Sequence, residues 1–141
     1  MSYKNSMKLE FLSLSENESF ARLAVASFCS NLGLTTEEVD DIKTAVSEAV
    51  TNAIVHGYDG KEGIVKISVD VIKEEISISI VDEGVGIEDI DKALQPFFTT
   101  KADKERSGMG FTVMESFMDK MVVESTPNKG TTGILKKYLN K

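Results

Sequence analysis

The stretch Ile42-Lys43-Thr44-Ala45-Val46-Ser47-Glu48-Ala49-Val50-Thr51-Asn52-Ala53-Ile54 indicates an amphipathic helix, because its apolar residues recur at helical spacing. The capping pattern Thr35-x-x-Glu38 precedes it and Gly57 follows it. We therefore predict one long helix that buries one face. Glu48 and Asn52 lie four residues apart, so they project from neighbouring turns at the edge of that face.

This polar pair has complementary chemistry. The amide oxygen of Asn52 is a neutral ligand of the kind that Mg²⁺ accepts together with water and phosphate oxygens. The Glu48 carboxylate can take up a proton. The same spacing is common on solvated helix faces, so the pair indicates a functional site only in combination with the motifs that accompany it.

The second motif follows a predicted strand over residues 75–81, where isoleucine alternates with serine. The strand runs into Asp82-Glu83-Gly84-Val85-Gly86. A carboxylate at this strand end that accepts a hydrogen bond from an exocyclic amine would select adenine over guanine. Gly84 and Gly86 would let the backbone approach the base closely. Taken alone, the motif is also compatible with an ordinary turn.

The third motif is Arg106-Ser107-Gly108-Met109-Gly110-Phe111, which opens a predicted helix. Gly108 and Gly110 at a helix start would expose backbone N–H groups to a triphosphate. The methionines and phenylalanines that follow are interpreted as core packing. Residues 95–106 could close over a nucleotide as a lid, with Lys101 or Arg106 near the terminal phosphates, or form a solvated loop.

Composition limits the class of protein. With 141 residues and 41% hydrophobic content, we expect one domain over residues 1–141. A net charge of -7 without a basic stripe argues against nucleic acid as the main partner. No apolar run or leader indicates a membrane protein, so a cytoplasmic location is expected. The single cysteine, Cys29, is interpreted as a small core residue, and a metal site at the single histidine, His56, is not expected.

The predicted elements follow one another as βααββ, lid, αββ. The first strand covers residues 8–14, the first helix covers 16–32 behind a capping box Ser15-x-x-Glu18, and a hairpin joins strands 64–72 and 75–81. The last strands are near residues 121–125 and 131–138. This order predicts a two-layer α/β sandwich, with one mixed, mostly antiparallel sheet covered by helices on one side.

The three motifs together resemble the N, G1 and G2 boxes of the GHKL ATPase and kinase superfamily, which has the Bergerat ATP-binding fold. Within it, residues 15–22, 46–58, 98–101 and 105–111 are most similar to the sporulation anti-sigma-F factors, which are serine protein kinases. The resemblance covers essentially the whole chain. Its boxes are specific in combination, although each is weak singly.

The resemblance implies a mechanism. ATP and Mg²⁺ would bind with adenine on Asp82, the metal on Asn52 and the phosphates at the third motif, and Glu48 would be the catalytic base toward a partner serine. The nucleotide-binding set that it implies is Asn52, Asp82, Gly84, Gly86, Thr99, Lys101, Arg106, Ser107, Gly108, Gly110 and Thr131.

The resemblance also implies protein partners. These are a sigma factor of the sigma-F type, held inactive by a dimer of this chain, and an anti-anti-sigma factor that is phosphorylated. Arg22 would contact both partners, although a solvated arginine is an equal interpretation of that position.

Other functions remain open at this point. An anti-sigma kinase for a stress-response sigma factor would share every box. A hydrolytic GHKL ATPase would use Glu48 to activate water, and usually carries a further transducer domain. A histidine kinase would need its histidine in a helical hairpin, and a non-catalytic regulator would only bind ATP.

Overall fold

The computed structural model describes residues 4–87 and 110–139. Five strands form one sheet in the order β1-β2-β3-β5-β4. The elements in chain order are β1 (Lys4–Leu12), α1 (Glu16–Cys29), α2 (Thr36–Asn52), a π-helical turn (Ala53–Gly57), β2 (Ile64–Ile72), β3 (Glu75–Asp82), α3 (Gly110–Phe117), β4 (Lys120–Thr126) and β5 (Gly130–Tyr138).

The expected two-layer α/β architecture is confirmed, with one difference in the sheet. All four strand pairings are antiparallel, so the described strands contain no parallel component. Two of the four pairings follow from connectivity: β2 and β3, and likewise β4 and β5, follow one another through tight turns, and a tight turn can join only antiparallel neighbours.

The core lies between one face of the sheet and the helices. In β2 and β3 every second residue is buried, which is the alternation expected of a sheet with one covered face. α2 packs between α1 and α3. The large side chains that are fully buried in this layer are Val25, Cys29, Ile42, Val46, Val50, Val65, Ile67, Val69, Val71, Ile76, Ile78 and Leu135.

Capping boxes were predicted at the starts of α1 and α2, and the structure contains only the one at α2. Thr35 Oγ1 accepts the Glu38 N–H at 3.1 Å, and Glu38 Oε1 accepts the Thr35 N–H at 3.0 Å, so the box of α2 is confirmed. The box at Ser15 is wrong, because Ser15 has helical dihedrals and its side chain makes no capping hydrogen bond. Instead, the turn before α1 is closed by Asn17, whose side chain donates to Leu12 O at 3.0 Å.

Element ends differ slightly from the predicted ones. β1 begins at Lys4 rather than residue 8, because it pairs with β2 along its whole length. α1 ends at Cys29 rather than residue 32. Cys29 is fully buried, as expected of a core residue, and burial raises the pKa of its thiol to about 11.

A buried lysine joins the two layers near the end of α3. Lys137 on β5 is only 3% exposed. Its Nζ donates to Phe117 O at 3.1 Å, which satisfies a carbonyl in the last turn of α3, and lies 3.8 Å from Asp41 Oδ2 on α2. One ammonium group therefore holds α2, α3 and β5 together.

We expect K137M to lower the free energy of unfolding by about 2 kcal/mol, because it leaves the Phe117 carbonyl and the Asp41 carboxylate without their cation. The matched control is K136M. Lys136 is the next residue, and its ion pair with Glu75, at 3.6 Å, is more exposed, so we expect a change below about 1 kcal/mol. Urea unfolding measures both variants, and equal losses would contradict the role given to Lys137.

Candidate functional site

Glu48 and Asn52 both lie in the second half of α2. Both side chains are half-buried, at the edge of the helix face that enters the core. Asn52 is the last residue of α2, and the chain continues as the π-helical turn, in which the Tyr58 N–H donates to Ala53 O at 3.0 Å. Such turns occur frequently at functional sites. This one packs against β3 and β5, so it leads from the polar pair to the end of the sheet.

Asp82 lies at that end, on the covered face of the sheet. It is 6% exposed, and its Oδ1 accepts the Gly84 N–H at 3.0 Å. Its carboxyl group sits directly over Gly57, where an added Cβ would lie 2.7 Å from the Asp82 Cγ. The end of the α2 segment and the end of β3 are therefore in contact, and only glycine fits between them.

Gly84 and Gly86 have close neighbours within the protein itself. A methyl group at Gly84 would overlap the Gly57 carbonyl, and the adjacent Val85 N–H donates to the same Gly57 O at 2.8 Å. A methyl group at Gly86 would overlap the carbonyl of Thr126. The structural reason for both glycines is thus contact with other backbone segments, and their approach to a base stays a prediction.

Two residues that the sequence did not single out also position this loop. The Tyr58 hydroxyl accepts the Glu83 N–H at 2.8 Å and donates to Ile64 O at 2.5 Å. The Ser125 hydroxyl accepts the Ile87 N–H at 2.8 Å. A buried tyrosine hydroxyl needs a partner, but no spacing in the sequence indicates which backbone group supplies it.

Thr131 joins the same group of residues through strand pairing. It is the cross-strand partner of Asp82, so both side chains lie on one face of the sheet. Gly110 is the first residue of α3, which packs against α2. The structure thus brings together the elements that carry Glu48, Asn52, Asp82, Thr131 and Gly110.

The rest of the predicted nucleotide contacts lie outside the described residues. These are the proposed lid, residues 95–106, and within or after it Thr99, Lys101, Arg106, Ser107 and Gly108. Their roles stay predictions.

Arg22 lies apart from this group, on α1. Its Nε is 3.6 Å from Glu18 Oε2, and its Nη2 donates to Ser19 Oγ at 3.3 Å. Two apolar neighbours on the same helix, Phe20 and Leu23, are more than half exposed. Leu23 and Phe20 lie one and two residues from Arg22, so they do not share its helix face, but they make the exposed surface of α1 partly apolar.

Burial dominates the electrostatics of Asp82. Desolvation raises the pKa of this carboxyl from 3.8 to about 6, although hydrogen bonds from the backbone of Gly84 and Thr131 act in the opposite direction. The charged form is thus costly in the folded protein near neutral pH. A hydrogen-bond donor at this carboxylate, such as an exocyclic amine, would stabilise the charged form.

We expect this shift to appear as a pH-dependent difference between wild type and D82N. The folded protein binds the Asp82 proton more tightly than the unfolded chain does, so the contribution of Asp82 to stability rises as the pH falls from about 6 toward 4. Asparagine keeps an oxygen for the Gly84 N–H and carries no charge. The free energy of unfolding of D82N relative to wild type should therefore be higher at pH 7.5 than at pH 4, by up to about 3 kcal/mol. Urea unfolding at both pH values tests this, and a pH-independent difference would contradict it.

Comparison with known proteins identifies the family. Residues 11–137 match the family model described as a histidine kinase-like ATPase domain. The anti-sigma F factor of Clostridium kluyveri (strain ATCC 8527) is 59% identical over 138 residues, which cover 98% of this chain and 97% of the relative. Those of Thermoanaerobacter sp. (strain X514) and Caldanaerobacter subterraneus subsp. tengcongensis are 58% and 56% identical, over 99% and 100% of this chain and 97% and 99% of theirs. This chain belongs to the anti-sigma F factor family.

Solved structures agree with this family in fold. The RsbU and RsbW domains of a Mycobacterium tuberculosis protein match with a TM-score of 0.68 at 16% identity, over 96% of this chain and 32% of that one. The catalytic domain of the histidine kinase ThkA matches with a TM-score of 0.59 at 18% identity, over 94% and 96% of the two chains. This chain thus has the histidine kinase-like ATPase fold, which is the fold that the resemblance of its three motifs implied, and this type of domain implies ATP binding. Among residues 4–87 and 110–139, no helix is long and apolar enough to cross a bilayer.

Proposed function

We propose that this chain is a single ATP-binding kinase domain over residues 1–141 that binds and inhibits a sporulation sigma factor of the sigma-F type. As an ATP-dependent serine kinase, it would also phosphorylate the corresponding anti-anti-sigma factor. Its membership of the anti-sigma F factor family supports the regulatory part of this proposal. The matched ATPase domain supports the nucleotide-dependent part.

One observation carries the enzymatic part of the proposal. The segment that bears Glu48 and Asn52 ends at Gly57, and Gly57 packs directly on the buried carboxyl of Asp82. The residues proposed as proton acceptor, metal ligand and adenine-selecting carboxylate therefore belong to two connected elements at one end of the sheet. A solvated helix face and an unrelated turn would not need this contact.

The side chains present fit ATP and Mg²⁺. Asp82 accepts a hydrogen bond from Gly84 on one oxygen, and a carboxylate has further acceptor capacity for an adenine amine. Asn52 offers an amide oxygen at the end of α2, and Mg²⁺ needs few protein ligands when phosphates supply the others. When bound, the metal would neutralise charge on the phosphates.

The reaction assigns Glu48 a defined step. Its carboxylate takes the proton of the partner's serine hydroxyl as the serine Oγ–Pγ bond forms. The bond between Pγ and the oxygen that bridges it to the β-phosphate breaks, and ADP leaves. The phosphoryl group thus moves to the partner serine and no water is consumed.

Transfer of label from γ-labelled ATP distinguishes the candidate activities. Incubation with the anti-anti-sigma factor should label that protein, and phosphoamino acid analysis should find phosphoserine. Free phosphate alone would indicate an ATPase, label on this chain's own histidine would indicate a histidine kinase, and binding without turnover would indicate a regulator. Each of these last three outcomes would overturn the kinase proposal.

Arg22 is proposed as a contact for both protein partners, in a cytoplasmic homodimer that binds no nucleic acid directly. We expect R22A to weaken binding of the sigma factor and of the anti-anti-sigma factor by at least tenfold, since arginine is one of the residues that most often dominate interface energies. Calorimetric titration with each partner measures this. Normal binding of both partners by R22A would show that Arg22 is an ordinary solvated arginine. Tighter binding of a stress-response sigma factor than of sigma-F by the wild-type chain would favour the stress-response sigma factor as the partner.

A further inference from the structure

The hydroxyl of Ser125 has a fully determined hydrogen-bonding pattern. Its Oγ contacts Gly130 O at 2.9 Å, the Ile87 N–H at 2.8 Å and Thr131 Oγ1 at 2.8 Å. A serine hydroxyl has one proton to donate and two lone pairs to accept with. The Gly130 carbonyl can only accept and the Ile87 amide can only donate, so the serine proton goes to Gly130. The remaining contact therefore has Thr131 as the donor.

This direction controls what Thr131 can offer to a ligand. Because its only hydroxyl proton is directed to Ser125, Thr131 Oγ1 presents acceptor lone pairs elsewhere. Thr131 is the cross-strand partner of Asp82, on the same face of the sheet. At this end of the sheet the carboxylate and the hydroxyl are thus both acceptors, on neighbouring strands.

We propose that Ser125 is a positioning residue for base selectivity, which acts by holding the Thr131 hydroxyl in its accepting orientation. The ligand class is a purine nucleotide with an amino group at position 6. Such a group donates two protons, whereas a 6-oxo purine presents an acceptor that would face two other acceptors. The inference rests on the proposed ATP site and adds a residue that would act through Thr131.

Nucleotide selectivity separates this role from a purely structural one. Calorimetry with the full chain gives dissociation constants for ATP and for inosine triphosphate, which differs from ATP by the 6-oxo group. In S125A the Thr131 hydroxyl is released and can rotate to donate to that oxygen. We define the selectivity ratio as the dissociation constant for inosine triphosphate divided by that for ATP, and we expect S125A to lower this ratio about tenfold relative to wild type. S125T retains a hydroxyl and should keep the wild-type ratio.

A second variant keeps the proposal testable if S125A does not fold. T131V removes the accepting hydroxyl and leaves the bonds of Ser125 to Gly130 and Ile87 in place, so it should also lower the ratio. In the T131V background, S125A should cause no further change in the ratio, because the two residues act as one unit.

Failure of the proposed ATP site can be distinguished from failure of the role given to Ser125. A wild-type chain that binds no ATP overturns the proposed function and this inference with it. A wild type that discriminates between the nucleotides, with S125A or T131V leaving the ratio unchanged, overturns the role of Ser125 alone. Equal weakening of both nucleotides by S125A would likewise show that Ser125 only supports the loop.

Discussion

E48Q is expected to lower phosphoryl transfer to the partner serine by about 10²- to 10⁴-fold, which is the usual contribution of a general base. ATP affinity should stay within about threefold of wild type, because the glutamine has the same shape and Glu48 is assigned to the proton rather than to the nucleotide. Single-turnover transfer from γ-labelled ATP measures the first quantity and calorimetry measures the second. The combination of lost transfer and retained binding is the signature of a residue that acts in the chemical step.

The matched control for this prediction is E37Q. Glu37 lies in the first turn of the same helix, is exposed, and undergoes the same change of charge. It should transfer phosphate at the wild-type rate, so a loss confined to E48Q cannot come from net charge. Wild-type transfer by E48Q would remove Glu48 as the base, and a loss of ATP binding in E48Q would place it in nucleotide binding instead.

G84A is expected to have the largest effect on stability among the predicted site residues. Its methyl group would overlap the Gly57 carbonyl, which is backbone and cannot turn away. The loop would have to move off the π-helical turn, with loss of the Val85 to Gly57 hydrogen bond and of the Gly84 to Asp82 hydrogen bond. We expect the free energy of unfolding to fall by about 3 kcal/mol and ATP affinity to fall by at least tenfold.

G133A is the matched control, because Gly133 lies in β5 of the same sheet and an added Cβ there meets no atom within 4 Å. It should fold and bind ATP as wild type does. Urea unfolding and calorimetry on the two variants give the comparison. If G84A retained both properties, the close approach of the loop to Gly57 would not be needed for the site.

Local patterns predicted much of this molecule. The hairpin strands β2 and β3 were placed within one residue of their observed ends, since alternation and a two-residue turn are visible in the sequence. The capping box of α2 was also correct, because both of its hydrogen bonds join residues three apart. The box at Ser15 failed because the Glu18 N–H donates to the main-chain carbonyl of Ser15, at 3.2 Å, and not to its hydroxyl.

The antiparallel pairings of β1 with β2 and of β3 with β5, and the early start of β1, could not be predicted in the same way. Both depend on which strand lies next to which, and strand order is not encoded in the period of any single segment. The same limit explains why Lys137 was missed. A lysine on the covered face of β5 is unfavourable by itself. It is stabilised here because α3 ends beside it and supplies the Phe117 carbonyl as a hydrogen-bond acceptor.

The sequence itself indicates the elements that bear the described site residues, namely α2, β3, α3 and β5, because hydrophobic period and glycine spacing act over a few residues. Contacts between distant segments depend on the tertiary structure: Gly57 against Asp82, Tyr58 against Glu83, and Ser125 against Ile87. Each joins groups that lie 25 to 38 residues apart in the chain, so their distance depends on how helices, strands and loops pack. Short-range propensity therefore specifies the parts, and packing specifies which polar groups meet.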